Sequence, residues 1–225
     1  MKLEPIYKSI VTADCFFSFK HVQTARVARQ NAYRRVAIPE QAYFAEPFDA
    51  GALDRSDPVS LSVLSGGFLT GEWAIEESRE RRLLGNRGLV LKSPGKHHAI
   101  SAYLRKTFHF SDRPLFLQYE VFFPETVDCG GAYIKLLSHT DDLRLSGFSD
   151  ATPYSIMFGP DKCGSSHKIH FIVRHRDPVS GTYLEKHAPQ PELDLSEYFT
   201  DQRPHLYSLS ERTHTHTHTR ARALL

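Results

Sequence analysis

Three cysteines, one tryptophan and no sustained apolar run set the first limits on this 225-residue chain. Cys15, Cys129 and Cys163 never fall in the short paired spacing of a zinc knuckle, so a structural zinc site of that kind is excluded. No stretch approaches the roughly 18 consecutive apolar residues that cross a bilayer, and no membrane anchor is read. The apolar patch from Ile10 to Phe19 is interrupted by Asp14 and followed by Lys20 without a clean small-residue cleavage site, so no signal peptide is read either. The net charge is only +2, and it is unevenly spread. Residues 1–40 carry seven Lys/Arg against three Asp/Glu, and residues 211–225 carry three Arg against Glu211, which leaves the middle of the chain acidic. That sign is wrong for phosphate neutralisation, so no nucleic-acid partner is expected.

What the chain does have is a period of two. Leu115, Leu117, Tyr119, Val121 and Phe123 share one face of a run from Pro114 to Phe123, with Gln118 and Glu120 on the other. Ile169, Phe171 and Val173 repeat the pattern opposite Lys168, His170 and Arg174. Gly71 to Glu77 around Trp73, and Arg87 to Lys92, add shorter strands. Turn sequences such as Ser111-Asp-Arg-Pro114 and Asp177-Pro-Val-Ser-Gly181 separate them, and βαβ spacing is missing. The expected fold class is all-β, an antiparallel β-sandwich. Residues 43–209 form the patterned domain, with a loop-like stretch over Gly51 to Gly67. Residues 1–42 read as a poorly ordered extension, in which Val22 to Val36 is polar and Arg-rich enough for a loose helix. Residues 210–225 read as a low-complexity tail. Its Thr213 to Thr219 repeat alternates Thr and His, as translation of a CA-dinucleotide tract would; capture of a metal by His214, His216 and His218 is the less favoured alternative.

The residues with chemistry cluster after Asp128. Gly130-Gly131-Ala132 allows a close approach before a strand that puts Tyr133 and Lys135 on one face and Ile134 and Leu136 on the other. An aromatic ring beside an ammonium suits a sugar, whose C–H face packs on the ring while its hydroxyls take hydrogen bonds. A plain solvated strand face has the same pattern. Tyr154 and Met157 are three apart and reach one site only if the chain bends near Ser155-Ile156. Gly159-Pro160-Asp161 reads as a turn. Glu185 supplies a carboxylate that accepts from hydroxyls. On spacing alone, Cys129 and Cys163 are compatible either with a bridge or with two buried free thiols.

Taken together, Cys129 to Leu137 and Ile156 to Gly164 resemble the two signatures of the calreticulin family of lectin chaperones. Tyr43 to Asp49, Gly71 to Glu77, Lys96 to Ala102 and Tyr198 to Asp201 resemble its calnexin and calmegin branch in particular. The resemblance implies a legume-lectin-like sandwich (a concanavalin-like jelly roll), incomplete in this chain, as in a truncated product. It implies location in the endoplasmic reticulum and binding of monoglucosylated N-glycans on folding or unfolded glycoproteins, without catalysis. It also implies a glucose site at Tyr133, Lys135, Tyr154, Met157 and Glu185, and a Cys129–Cys163 disulfide. Calcium belongs to the family, but positions matching its ligands carry Pro47 and Asn86, so binding here is expected to be weak or absent and no metal ligand is assigned. The arm that recruits oxidoreductases in the family has no counterpart in the sequence. A non-functional truncated splice product is one alternative, and two rival functions remain. A glycoside hydrolase would need a pair of carboxylates across the scissile bond, but the strand from Pro114 to Phe123 offers Glu120 alone and Asp141-Asp142 falls in a loop. A glycan-independent holdase would need exposed apolar surface.

Overall fold

A computed structural model describes residues 6–16, 31–32, 40–48, 62–64, 71–77, 83–110, 114–138, 140–141, 143–212 and 220–224. Among the described residues, fifteen strands run in chain order: β1 Ile6–Phe16, β2 Asn31–Ala32, β3 Ser62–Leu64, β4 Trp73–Glu77, β5 Leu83–Leu84, β6 Arg87–Leu91, β7 Lys96–Phe108, β8 Leu115–Phe122, β9 Cys129–Gly131, β10 Tyr133–Ser138, β11 Ile156–Cys163, β12 Ser166–Arg176, β13 Tyr183–His187, β14 Pro204–Arg212 and β15 Arg220–Leu224. Among the described residues the only helical turns are two short 3-10 segments, Leu145–Gly147 and Ser196–Phe199.

The principal sheet has the order β13-β12-β11-β10-β1-β7-β3, with β9 pairing β1 and β11 off that path. A second sheet, β15-β14-β8, lies against its apolar face, and a β4–β6 ribbon contributes Trp73 and Leu89 beneath β7. Among the described residues all pairings are antiparallel except the two-residue β2–β5 contact. The alternation explains this layering. Leu115, Leu117, Tyr119, Val121 and Phe123 of the β8 segment meet Ile134, Ile156, Phe158, Ile169, Phe171 and Val173 from the large sheet in one core, closed by Phe199, Tyr207 and Leu209. Full burial of each such side chain stabilises by about 1.5–3 kcal/mol, which is why the register cannot slip by one residue.

Several expectations change. Gly159-Pro160-Asp161 is not a turn but the middle of β11, pairing across to His170, Ile169 and Lys168. Pro160 fits there because the ladder toward β9 and β10 is interrupted between Phe158↔Ile134 and Asp161↔Gly131, so a missing N–H is tolerated. Ile6–Phe16, in the segment read as an extension, runs as β1 between β10 and β7. Arg220–Leu224 pairs with β14 as an outer strand. Thr213 to Thr219 lies outside the described residues. So does most of Val22 to Val36 and of the Gly51 to Gly67 loop, of which only Asn31–Ala32 and Ser62–Leu64 are described, as strands.

Candidate functional site

Antiparallel pairing decides which side chains share a face, because directly opposed residues project to the same side of a sheet. Lys135 lies opposite Met157 on the β10–β11 ladder, Met157 opposite Ile172 on β11–β12, and Arg174 opposite Glu185 on β12–β13. Tyr133 and Lys135 are two apart on β10, and Ile172 and Arg174 are two apart on β12, so Tyr133, Lys135, Met157 and Glu185 all fall on the face turned away from the main core. The parity conflict between Tyr154 and Met157 disappears because β11 starts at Ile156. Tyr154 stands in the approach to the strand and is not bound by its alternation.

The contacts draw these side chains together. The Lys135 ammonium sits 5.5 Å from the ring centroid of Tyr154 and 5.9 Å from that of Tyr133. Both distances place it over ring faces, where the aromatic quadrupole attracts a cation. Lys135 is 8% exposed and Tyr133 9%, so the charge is held in a largely covered aromatic setting and is not waving in solvent. The Tyr154 hydroxyl donates to Glu185 Oε1 at 2.8 Å. Burial, and then that hydrogen bond, push the Tyr154 phenol well above its ordinary range, so it stays a neutral donor at physiological pH. Glu185 Oε2 lies 3.6 Å from His187 Nε2 on the same face. The carboxylate is therefore oriented by two neighbours and retains unused acceptor capacity.

The floor beneath the site was not legible as such. Tyr119 is one of the alternating core residues of β8, yet its hydroxyl crosses the core and donates toward the carbonyls of Ala132 (2.8 Å) and Phe158 (3.2 Å). It thereby satisfies backbone oxygens where the β10–β11 ladder is interrupted. Gly159 is required at that crossing: its φ is +144°, and an added Cβ would lie 2.0 Å from Tyr119 Oη and 2.6 Å from the Ala132 carbonyl. A polar-tipped aromatic within an otherwise aliphatic and Phe row was the one available signal. Asp161 Oδ2 accepts from His170 Nε2 at 2.9 Å, and the His170 ring meets Tyr133 edge-on at 6.1 Å, so a second polar pair flanks the ring that sequence reading had left unassigned.

Cys129 and Cys163 are disulfide-bonded, at the register pair that joins β9 to β11. The bridge ties the Gly130-Gly131-Ala132 approach to the far end of the strand carrying Met157. At the near end the hydroxyls of Ser138 and Ser155 are hydrogen-bonded, which fixes β10 to the entry of β11 beside Tyr154.

The positions that resemble the family's calcium ligands are Pro47 and Asn86. Pro47 offers no side-chain oxygen, Asn86 offers a neutral one, and Glu46 Oε1 already accepts from the Phe48 N–H at 2.6 Å. Among the described residues, no group of three or more His, Cys, Asp or Glu side chains is arranged to hold a metal ion.

Residues 65–221 match the calreticulin family. Calmegin of Homo sapiens is 52% identical over 199 residues, covering 84% of this chain and 32% of calmegin. Calnexin of Caenorhabditis briggsae is 45% identical over 158 residues, covering 70% of this chain and 25% of calnexin. The solved globular domain of T. cruzi calreticulin superposes with a TM-score of 0.56 at 25% identity, over 76% of this chain and 59% of that domain. The chain thus spans 32% of the length of the calmegins it is similar to.

Proposed function

The chain belongs to the calreticulin family, and from that premise we propose that it is a lectin chaperone module of the endoplasmic reticulum. Its ligand is the terminal glucose of a monoglucosylated N-glycan on a folding or unfolded glycoprotein. The observation that carries this is the convergence of Tyr133, Lys135, Tyr154, Met157 and Glu185 on one sheet face around a covered ammonium. A glucose ring packs its C–H face on Tyr133 and the Met157 thioether. Lys135 donates to ring hydroxyls, and a hydrogen bond to such a charged group is worth about 1.5–3 kcal/mol. Glu185, already aimed by Tyr154, accepts from a neighbouring hydroxyl. A sugar therefore meets donor, acceptor and apolar platform on one face.

No bond is broken in this scheme. Glu185 is the one carboxylate among the five, whereas glycoside hydrolysis needs two set on either side of the scissile bond. The scheme contains no calcium step, because the donor chemistry around Pro47 and Asn86 does not suit one. Calorimetric titration with a monoglucosylated oligomannose glycan tests the proposal. Binding by the wild-type chain and its loss in Lys135→Ala is the expected pair of results; no heat from a well-folded wild-type chain would sink it.

A second reading has its own observation. Phe116 is 64% exposed and Leu206 47%, both on the outer side of the β8–β14 pair, where an apolar client segment can adsorb. Suppression of aggregation of a non-glycosylated client that survives Lys135→Ala and falls with Phe116→Ser would support holdase activity beside sugar binding.

A further inference from the structure

Beyond the Tyr154–Glu185 pair, the same face ends in a cavity of about 280 Å³ between the end of β10, the approach to β11, and the facing ends of β12 and β13. That is near the lower limit of small-molecule sites, which run from about 300 to 1,000 Å³, so its occupant is small. Its walls include Ser138, Tyr154, Arg174, His175, Arg176 and Tyr183, and none of the described lining residues is a carboxylate. The two guanidiniums are positioned without being neutralised. Arg174 Cζ lies 5.0 Å from the Tyr183 ring centroid, and Arg176 Nε donates to the Gly181 carbonyl at 3.0 Å. Among the described residues neither makes an ion pair. Two acids on the same strands are engaged elsewhere: Glu185 Oε1 accepts from Tyr154, and Asp177 Oδ1, just past β12, accepts from the Val179 and Ser180 N–H groups of its own turn.

We propose that this cavity is a second binding site, taking the oxyanion of phosphate or of a phosphate monoester, beside the sugar-binding face and sharing only Tyr154 with it. Two planar guanidiniums, each with donors left over, match a tetrahedral oxyanion with several acceptors better than they match a neutral hydroxyl. The Ser138 and Tyr183 hydroxyls supply further polar contacts. None of the described lining residues carries a negative charge, and the apolar ring walls exclude water from its inner side. The ligand is either a free anion or the phosphate of a sugar whose ring reaches toward Tyr154 and Glu185.

Amide-detected NMR titration of the full chain with inorganic phosphate, with glucose 6-phosphate and with sodium chloride at matched ionic strength tests this. Both phosphates are expected to shift the Ser155, Arg174 and Tyr183 amides saturably while chloride does not. Arg176→Gln, an exposed change that leaves the core untouched, and Arg174→Gln should each weaken phosphate binding by about tenfold or more, as expected for loss of one charge-assisted hydrogen bond. Tighter binding of the sugar phosphate than of inorganic phosphate identifies a sugar phosphate as ligand; equal binding identifies the free anion; both support the site. Phosphate binding retained in Lys135→Ala while glycan binding is lost separates this site from the glucose site. If the wild-type chain binds phosphate but no glycan, this site stands and the lectin proposal falls. No saturable shift, the same shift with chloride, or unchanged affinity in both arginine variants would overturn the proposal.

Discussion

Two buried ionisable side chains, Lys135 in β10 and Glu211 in β14, occupy opposite layers of the sandwich and are treated in opposite ways. Lys135 is framed by two aromatic rings on a face whose register, disulfide and cross-core hydrogen bond all fix its surroundings. Glu211 is 1% exposed, follows Tyr207 and Leu209 along the same core-facing row, and leaves Oε2 without a partner. Nearby on that row the Tyr207 hydroxyl is also buried and unpartnered. A buried charge with an organised environment marks a place that can recognise something. One without it marks a place where the strand's pattern has broken, since Glu211 stands where alternation calls for an apolar residue.

The sharpest test of the ordered side is Gly159→Ala. Left-handed strain and overlap with Tyr119 Oη and the Ala132 carbonyl together should cost about 4 kcal/mol. Chemical denaturation should show that loss, and a near-wild-type midpoint would mean that the floor of the site is not built as described. Next, replacing both cysteines by serine (Cys129→Ser with Cys163→Ser) should remove about 3–4 kcal/mol and should abolish the response of the unfolding midpoint to reductant.

On the other side, Glu211→Leu should stabilise by about 1–3 kcal/mol at neutral pH, by replacing an unsatisfied carboxyl with a side chain the row expects. The pH dependence gives an independent check. Burial raises the Glu211 carboxyl above its ordinary value of 4.5. The folded chain therefore holds that proton more tightly than the unfolded chain. Its contribution is most favourable below pH 4.5 and is lost as pH rises through the raised folded value. Stability measured from pH 4.5 upward should fall less steeply in Glu211→Leu than in the wild type; parallel curves would show that the carboxyl is not buried. The smallest effect is expected for Tyr119→Phe, about 1 kcal/mol, read with glycan affinity on the same sample. A drop in affinity larger than the drop in stability would show that the floor orients the site as well as supporting it.

Much of this was readable from the chain, and the failures have physical causes. Alternation in Leu115 to Phe123 and in His167 to His175 gave strands, faces and core directly, because a half-buried strand writes its burial into every second residue. Tyr133 and Lys135 could be placed on one face for the same reason, whereas their grouping with Tyr154, Met157 and Glu185 came only from the family resemblance, and the parity of Tyr154 relative to Met157 depends on where β11 begins. Gly159-Pro160 misled because both residues usually punctuate strands; here the glycine makes room for Tyr119 and the proline stands where the ladder toward β10 is interrupted. Strand β1 was missed because Lys8, Ser9, Thr12 and Asp14 blur its alternation, and its partners, β10 and β7, are about a hundred residues away in sequence. No local pattern encodes a contact of that span. The Asp161–His170 pair and the arginine-lined cavity were likewise invisible, because each joins strands whose register is known only from the fold.

Glu185 rides on β13, a five-residue outermost strand whose every side chain is exposed and which is held by β12 alone in the described sheet. Such a margin frays more readily than the strands inside it. The acceptor half of the recognition pair is thus mounted on the most easily detached piece of the platform, while the donor half sits near its rigid middle. Capture of a sugar should then be felt as a tightening of the rim, with β13 amides exchanging more slowly once ligand bridges the two halves and those of β10 scarcely changing.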